Sequence, residues 1–500
     1  MLYIRPKQEI FVFLVKQGNN ERGEVNLKLT IDSVIRLQDV PTEVLKQIKA
    51  ELTLENKQYQ VMKRIKPRQR WMWGEPVFKL WSEKTVDDST ELILPRGYLA
   101  RAWNLLGLSW DVIQDKRVKL LEVEYPVKPK LRDYQEPAVN EAKAWQQGVI
   151  NMPAGSGKTV VGHAIIANLR QPTLWVTHRT DLLQQSMERA RTFLGLDDSQ
   201  MGVIQEDRYS IGSHITFASV QTLCNRDIDA IKNRFGCLVV DECHRCFDDK
   251  FSKENNRRMF DSVISEIPAF YRFGLTATVG RSDGLINSML HIIGPVFYEI
   301  QKNDPRLLTL KPVVEFIETD YQYIVEEGEM LSVQSMYTDM KNDGLRNDIL
   351  FDVLREKIGA DDTCICLGHH LSHLEILHSY VSNDLRRKSI FINGSTDMNK
   401  REGIFNEVRA GKYQYIFATF SLIKEGLDIS RLNKIVFATP VKDSVTVEQA
   451  VGRVQRPEDG KPTPVVYDIC DCKVPQLKRW KSERKKVYKK IGCEIHICSK

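Results

Sequence analysis

The chain has 500 residues, 42% of them hydrophobic, which is long for a single domain and apolar enough to build two or three cores. Its net charge of +6 permits nucleic-acid contact without demanding it, so the placement of the cations matters more than their total. No run of eighteen apolar residues occurs, and charges interrupt the amino terminus where a secretory leader needs an apolar stretch, so a soluble protein of the cytoplasm, without membrane contact, is expected.

Residues 1–127 read as a small accessory α+β domain. Short alternating runs such as residues 9–15 predict strands, and residues 41–52 predict a helix. Residues 63–73 interleave five cations with Trp71 and Trp73, a pattern able to track phosphates and contact DNA. Trp71, Trp73 and Trp81 are candidates for stacking on unpaired bases, with packing inside a small core as the alternative. The proline-bearing residues 125–130 mark a boundary, after which Ala138, Val139, Ala142 and Trp145 keep helical spacing.

From Val149 onward, β-branched runs alternate with helical stretches, the signature of a buried parallel sheet flanked by helices over residues 128–302. Within it, residues 152–159 read Met-Pro-Ala-Gly-Ser-Gly-Lys-Thr. Gly155 and Gly157 let backbone N–H groups turn toward a phosphate, Lys158 reaches the β and γ phosphates, and Thr159 offers a hydroxyl to Mg²⁺. Met152 stands where the first glycine of that loop is usual. The apolar run 237–240 then delivers Asp241 and Glu242, suited to holding the metal and to polarising an attacking water. ATP and Mg²⁺ are the expected cofactors.

Residues 303–345 are less regular and read as a linker. The alternation restarts over residues 346–472, giving a second α/β domain without a phosphate loop of its own. Such a domain is expected to supply positive charge to the γ-phosphate, and Arg453 and Arg456, three positions apart on one expected helix face, are the candidates. Residues 473–500 are expected to form a basic C-terminal helix: residues 473–490 hold nine Lys or Arg against one Glu, while Leu477, Trp480, Val487 and Ile491 fall on one side.

The ten cysteines are scattered or lie on apolar strands, as reduced thiols of an intracellular protein do. Zinc is not expected, because Cys243 and Cys246, and the group Cys470, Cys472, Cys493, His496 and Cys498, lack the full paired ligand spacing. His369, His370 and His373 fit the first turn of a helix, exposed and binding nothing.

The order of these segments over residues 130–472 resembles the superfamily 2 helicases and translocases, DEAD/DEAH-box-like ATPases with two tandem RecA-like domains. The resemblance implies that Gln135 reads adenine, and that Gly155, Ser156, Gly157, Lys158 and Thr159 form motif I. It makes Asp241-Glu-Cys-His244 a DEAH-like variant with Cys third. Arg179, Ser219 and Gln221 would grip the nucleic-acid backbone, and Thr276 and Thr278 would couple hydrolysis to movement. Gly394 and Thr419 would act likewise in the second domain, with Gly426 and Asp428 at the nucleotide. Gln449, Arg453 and Arg456 resemble motif VI. Within the superfamily the likeness is nearest to phage UvsW-type branch-migration helicases and to XPB and restriction-subunit translocases.

That likeness implies remodelling of branched or duplex DNA, such as forks, junctions and displacement loops, in recombination, repair or replication. It also implies recombination or replication proteins as partners and, for a phage protein, the host cytoplasm. An RNA helicase, a restriction-type duplex translocase subunit and a regulatory module without turnover are the other readings. The last is disfavoured because Glu242, Arg453 and Arg456 are all present.

Overall fold

The computed structural model describes residues 28–497 apart from 57–58, 61–62, 65–74, 87–88, 109–111, 154, 179, 245–258, 278–285, 302–303, 305, 308–309, 325–331, 393–397, 425–428 and 459. Contacts divide it into two compact units whose main bodies meet in sequence at Ile300 and Gln301.

Among the described residues the first unit holds two main sheets, besides a two-stranded ribbon that pairs Thr53–Glu55 with Val77–Lys79. Strands β1 (Lys28–Ile31), β2 (Val34–Gln38), β3 (Ser82–Val86), β4 (Ser89–Pro95) and β5 (Ile113–Asp115) form the smaller one, in the order β3-β4-β2-β1-β5. Its pairings are antiparallel except between β1 and β5. Period-two alternation turns Ile35 and Leu37 inward with Leu92 and Leu94, where Ile48 from helix α1 (Thr42–Glu51) and Ala102 from α2 (Leu99–Leu106) meet them. Trp81 packs against this core and its Nε1 donates to Thr53 Oγ1 at 3.0 Å. It is therefore a packing residue; Trp71, Trp73, the expected strand at 9–15 and most of the basic stretch lie outside the described residues.

The larger sheet comprises β6 (Gln147–Asn151), β7 (Thr173–Thr177), β8 (Met201–Gln205), β9 (Arg208–Tyr209), β10 (Ile215–Ser219), β11 (Cys237–Asp241), β12 (Tyr271–Thr276) and β13 (Val296–Glu299). Its order is β9-β8-β10-β7-β11-β12-β6-β13, parallel except for the short β8–β9 pair. Helices α3 (Glu136–Trp145), α4 (Lys158–Leu169), α5 (Thr180–Leu194) and α6 (Val220–Leu223) accompany it. Every residue of β7 and β11 is buried, which explains their unbroken apolar runs.

Two buried guanidinium groups join the sheets of this unit. Arg96 donates to Ala269 O at 2.6 Å, Phe270 O at 3.0 Å and Gln147 Oε1 at 2.6 Å. Arg272 donates to Ser33 O at 2.8 Å and to three further carbonyls. Burial lowers the Arg272 pKa to about 9. Carbonyl dipoles solvate both cations, a means of docking one sheet on another that leaves no trace in a linear pattern. Contacts accordingly group residues 28–127 with the larger sheet in one unit.

The second unit is a seven-stranded, wholly parallel sheet. Its strands are β14 (Val313–Glu318), β15 (Cys364–Gly368), β16 (Ser389–Ile392), β17 (Tyr415–Thr419), β18 (Lys434–Phe437), β19 (Val465–Cys470) and β20 (Glu494–Ile497), in the order β16-β17-β15-β18-β19-β14-β20. Alternate residues feed two cores. Ile365 and Leu367 enter one, and Cys364 and Cys366 the other, so these cysteines are packing groups.

Two expectations need correction here. Residues 303–345 are more than a linker, because β14 lies inside the sheet and is followed by α7 (Val333–Asn342), which precedes α8 (Gly344–Glu356). Glu315 and Glu318 interrupt the apolar run of β14, while Val314 and Phe316 are the residues it buries. The carboxyl-terminal segment is likewise more than a basic helix. Helix α10 (Pro475–Lys490), preceded in the sequence by α9 (Ser444–Val454), leads into β20, which pairs with β14. Its buried residues are Leu477, Trp480, Arg484 and Tyr488, so one of the counted cations is internal.

The histidine reading also changes. His373 is fully buried, with Nε2 2.9 Å from Asn347 Oδ1, and burial lowers its pKa to about 3, which keeps it neutral. Among the described residues no helix is long and apolar enough to cross a membrane, and no cluster of three or more His, Cys, Asp or Glu is arranged to hold a metal ion.

Candidate functional site

Residues 152–157 connect β6 to α4, a strand-to-helix turn at the carboxyl edge of a parallel sheet. Met152 is fully buried and its N–H donates to Thr276 O at 2.9 Å, tying the turn to the end of β12. Gly155 and Gly157 have φ of 81° and 84°. A Cβ on Gly157 would collide with the Gln135 carboxamide, which is buried and accepts a hydrogen bond from Arg132 N at 2.9 Å. Glycine at 157 thus meets two requirements, a left-handed backbone and a close approach.

Lys158 and Thr159 open α4, where free N–H groups and the helix dipole favour an anion. Asp241 ends β11, is 8% exposed, and accepts from the Glu242 N–H at 2.9 Å. Burial and then the Glu242 charge raise the Asp241 pKa to about 6, against the opposing pull of Lys158 and Arg189. Glu242 has φ of 50°, a strained backbone for a non-glycine residue. His244 Nδ1 lies 3.2 Å from Glu242 Oε2 and 3.0 Å from Thr276 Oγ1, so one imidazole links the acidic pair to the end of β12. Cys243 faces Gly274, where a Cβ would stand 2.7 Å from its sulfur. Small residues are required on both sides of that contact.

Arg189 on α5 donates from Nη1 to Thr159 Oγ1 at 2.8 Å. Neither Arg189 nor the bridging role of His244 stands out in the sequence: the arginine sits among Glu188 and Arg191 on what reads as a solvated helix, and only the fold brings it to the glycine turn. Chemically, the arrangement is an anion cradle that a Cβ would fill, beside hydroxyl and carboxylate oxygens of the kind hard divalent cations take. It fits a magnesium nucleotide.

Ser219 ends β10 opposite Thr177 at the end of β7, and Gln221 follows on α6. The Ser219 hydroxyl caps α6 by accepting from Thr222 N, and Gln221 Nε2 donates to His178 O. Thr276 closes β12, while Arg179 and Thr278 fall outside the described residues.

In the second unit, Thr419 ends β17 with its hydroxyl 2.6 Å from Ser421 Oγ. Gln449 and Arg453 lie on α9, but the helix ends at Val454, so Arg456 does not share its face as expected. Arg456 sits in the turn that follows, where Lys461 Nζ donates to its carbonyl at 2.8 Å and to Ser430 O at 2.6 Å. Burial lowers the Lys461 pKa to about 8. Gly394, Gly426 and Asp428 lie outside the described residues.

Two family models match: "Type III restriction enzyme, res subunit" over residues 128–281 and "Helicase conserved C-terminal domain" over residues 346–458. Among curated proteins, a putative ATP-dependent RNA helicase of Acanthamoeba polyphaga mimivirus is 24% identical over 74% of this chain and 71% of its own. The ATP-dependent DNA helicase UvsW of Enterobacteria phage T4 is 22% identical over 71% of each chain. Among solved structures, S. cerevisiae Dbp5 bound to RNA and ADP BeF3 covers 74% of this chain and 90% of that one, with a TM-score of 0.53 at 14% identity, a likeness of fold. Two RecA-like α/β folds in tandem account for the two parallel sheets.

Proposed function

Because the chain belongs to the superfamily 2 helicases, we propose that it is an ATP-dependent DNA helicase or translocase that remodels branched DNA. The observation carrying the ATPase reading is the glycine turn at the start of α4, where Lys158 and Thr159 open the helix and Lys158 acts electrostatically on the buried Asp241. In this reading the amides of Gly155, Ser156 and Gly157 hold the phosphates, Lys158 neutralises the β and γ oxygens, and Gln135 meets the adenine. Thr159 and Asp241 would hold magnesium, which would supply charge neutralisation at the phosphates. Glu242 polarises the attacking water, and the His244 bridge to Thr276 carries the state of the acidic pair to the end of β12.

Arg453 and Arg456 are assigned to the developing γ-phosphate charge, with Gln449, Gly426 and Asp428 at the same step. Arg179, Ser219, Gln221, Thr276, Thr278, Gly394 and Thr419 are assigned to backbone grip and coupling, which hold phosphates without reading bases. Residues 1–127 and the exposed cations of α10 are assigned to recognition of branched substrates.

Gly157→Ala tests the cradle. Forcing a side chain into the left-handed turn and against Gln135 costs about 1 to 3 kcal/mol, so nucleotide affinity is expected to fall roughly tenfold to a hundredfold in a fluorescent-nucleotide titration. Unchanged affinity would remove the cradle from the reading.

DNA as substrate is supported by the restriction-subunit model and the UvsW relative, and RNA by the name of the mimivirus relative. ATP hydrolysis measured with no nucleic acid, single-stranded DNA, linear duplex, a four-way junction and single-stranded RNA separates them. The junction is expected to stimulate most. Greatest stimulation by RNA would replace the DNA assignment and leave the ATPase reading standing.

A further inference from the structure

The guanidinium of Arg189 occupies ground that a nucleotide-bound site needs. Its Nη1 donates to Thr159 Oγ1 at 2.8 Å, and that hydroxyl oxygen is the one assigned above to magnesium. Arg189 also acts electrostatically on Asp241, the second assigned magnesium ligand, and on His163, whose imidazole stands 2.7 Å from Thr159 O. Lys158 is a second cation acting on Asp241 in this corner.

An arginine keeps its charge at any physiological pH, so its field persists until the side chain moves. A hydroxyl oxygen that accepts from a guanidinium presents its remaining lone pair beside a positive charge, a poor position for a second, divalent cation. The long side chain lets the guanidinium leave Thr159 while α5 stays in place.

We propose that Arg189 is a counter-cation built into this site: it holds the Thr159 hydroxyl and balances Asp241, competes with magnesium for that hydroxyl, and thereby sets the magnesium concentration the site requires. The proposal rests on the ATP reading given above. Arg189 is a positioning residue in this scheme, acting through the two magnesium-holding side chains.

The test is magnesium-dependent binding of a fluorescent ADP analogue to the full chain, a measurement without turnover. Arg189→Ala and Arg189→Gln are expected to lower the half-saturating magnesium concentration about fivefold, in keeping with the modest strength of a partly exposed charge, while affinity at saturating magnesium stays within about twofold. Arg189→Lys, which keeps the charge but loses the fork, is expected to fall between them and the parent. An unchanged or raised half-point in the folded variants overturns the proposal. A tenfold loss of affinity at saturating magnesium also overturns it, making Arg189 a direct nucleotide ligand. If the alanine and glutamine variants do not fold, the lysine variant decides, and a parent-like half-point there counts against displacement. Absence of magnesium-dependent binding by the parent chain would instead sink the ATP reading.

Discussion

Lys158→Ala is expected to cut ATP turnover by about a thousandfold, the scale on which removal of one preorganised group facing transition-state charge is felt. Lys158 is the first residue of α4, so its ammonium adds to the anion-favouring field of the helix terminus and the glycine turn. Alanine is a good helix former, and the lysine is half-buried at a helix start, so the substitution leaves the fold in place. Phosphate release with and without DNA, together with an unchanged circular dichroism spectrum and melting temperature, checks the result. Turnover within tenfold of the parent would sink the role given to this lysine.

Asp468→Ala is expected to destabilise the second unit by about 3 to 5 kcal/mol, the cost of stranding a buried cation. Asp468 on β19 is fully buried and receives Arg484 Nε at 2.8 Å, Arg484 Nη2 at 2.7 Å and the Tyr488 hydroxyl at 2.8 Å. Both donors come from α10, so this carboxylate fastens that helix to the sheet. Without it the Arg484 guanidinium, 2% exposed, keeps among the described residues only the Val441 carbonyl at 3.2 Å and a long contact to the Cys470 sulfur. Denaturant unfolding of the parent and the variant gives the difference. The double replacement of Asp468 by Leu and Arg484 by Met is expected to recover most of it, because two apolar groups leave no unpaired charge. A loss below about 1 kcal/mol in the single variant would show that water reaches the arginine.

The parts legible in the sequence share one property: their signal is local. Gly155, Gly157, Lys158 and Thr159 sit within five residues, and Asp241 ends a single buried strand with Glu242 next to it, so composition and spacing were enough to bring them forward. The parallel sheets were legible for the same reason, since strands buried on both faces read as unbroken apolar runs. Strand β14 escaped because Glu315 and Glu318 broke its run, and the helix expected to carry both Arg453 and Arg456 stops at Val454, short of Arg456. The basic tail misled in part, because counting cations cannot tell Arg484, paired inside the core, from Arg479 on the surface.

By itself the sequence determined the α/β class and the superfamily likeness, and it singled out the glycine-turn and acidic residues proposed to hold the nucleotide, all written in patterns a few residues long. Only the tertiary structure decided that Arg96 and Arg272 lock the amino-terminal sheet onto the first parallel sheet through carbonyls, that Trp81 packs a core, that β20, reached through α10, completes the second sheet, and that Arg189 reaches Thr159. The reason is physical. A long charged or aromatic side chain takes its role from the groups that surround it, and those groups come from segments tens to hundreds of residues away that no local period encodes.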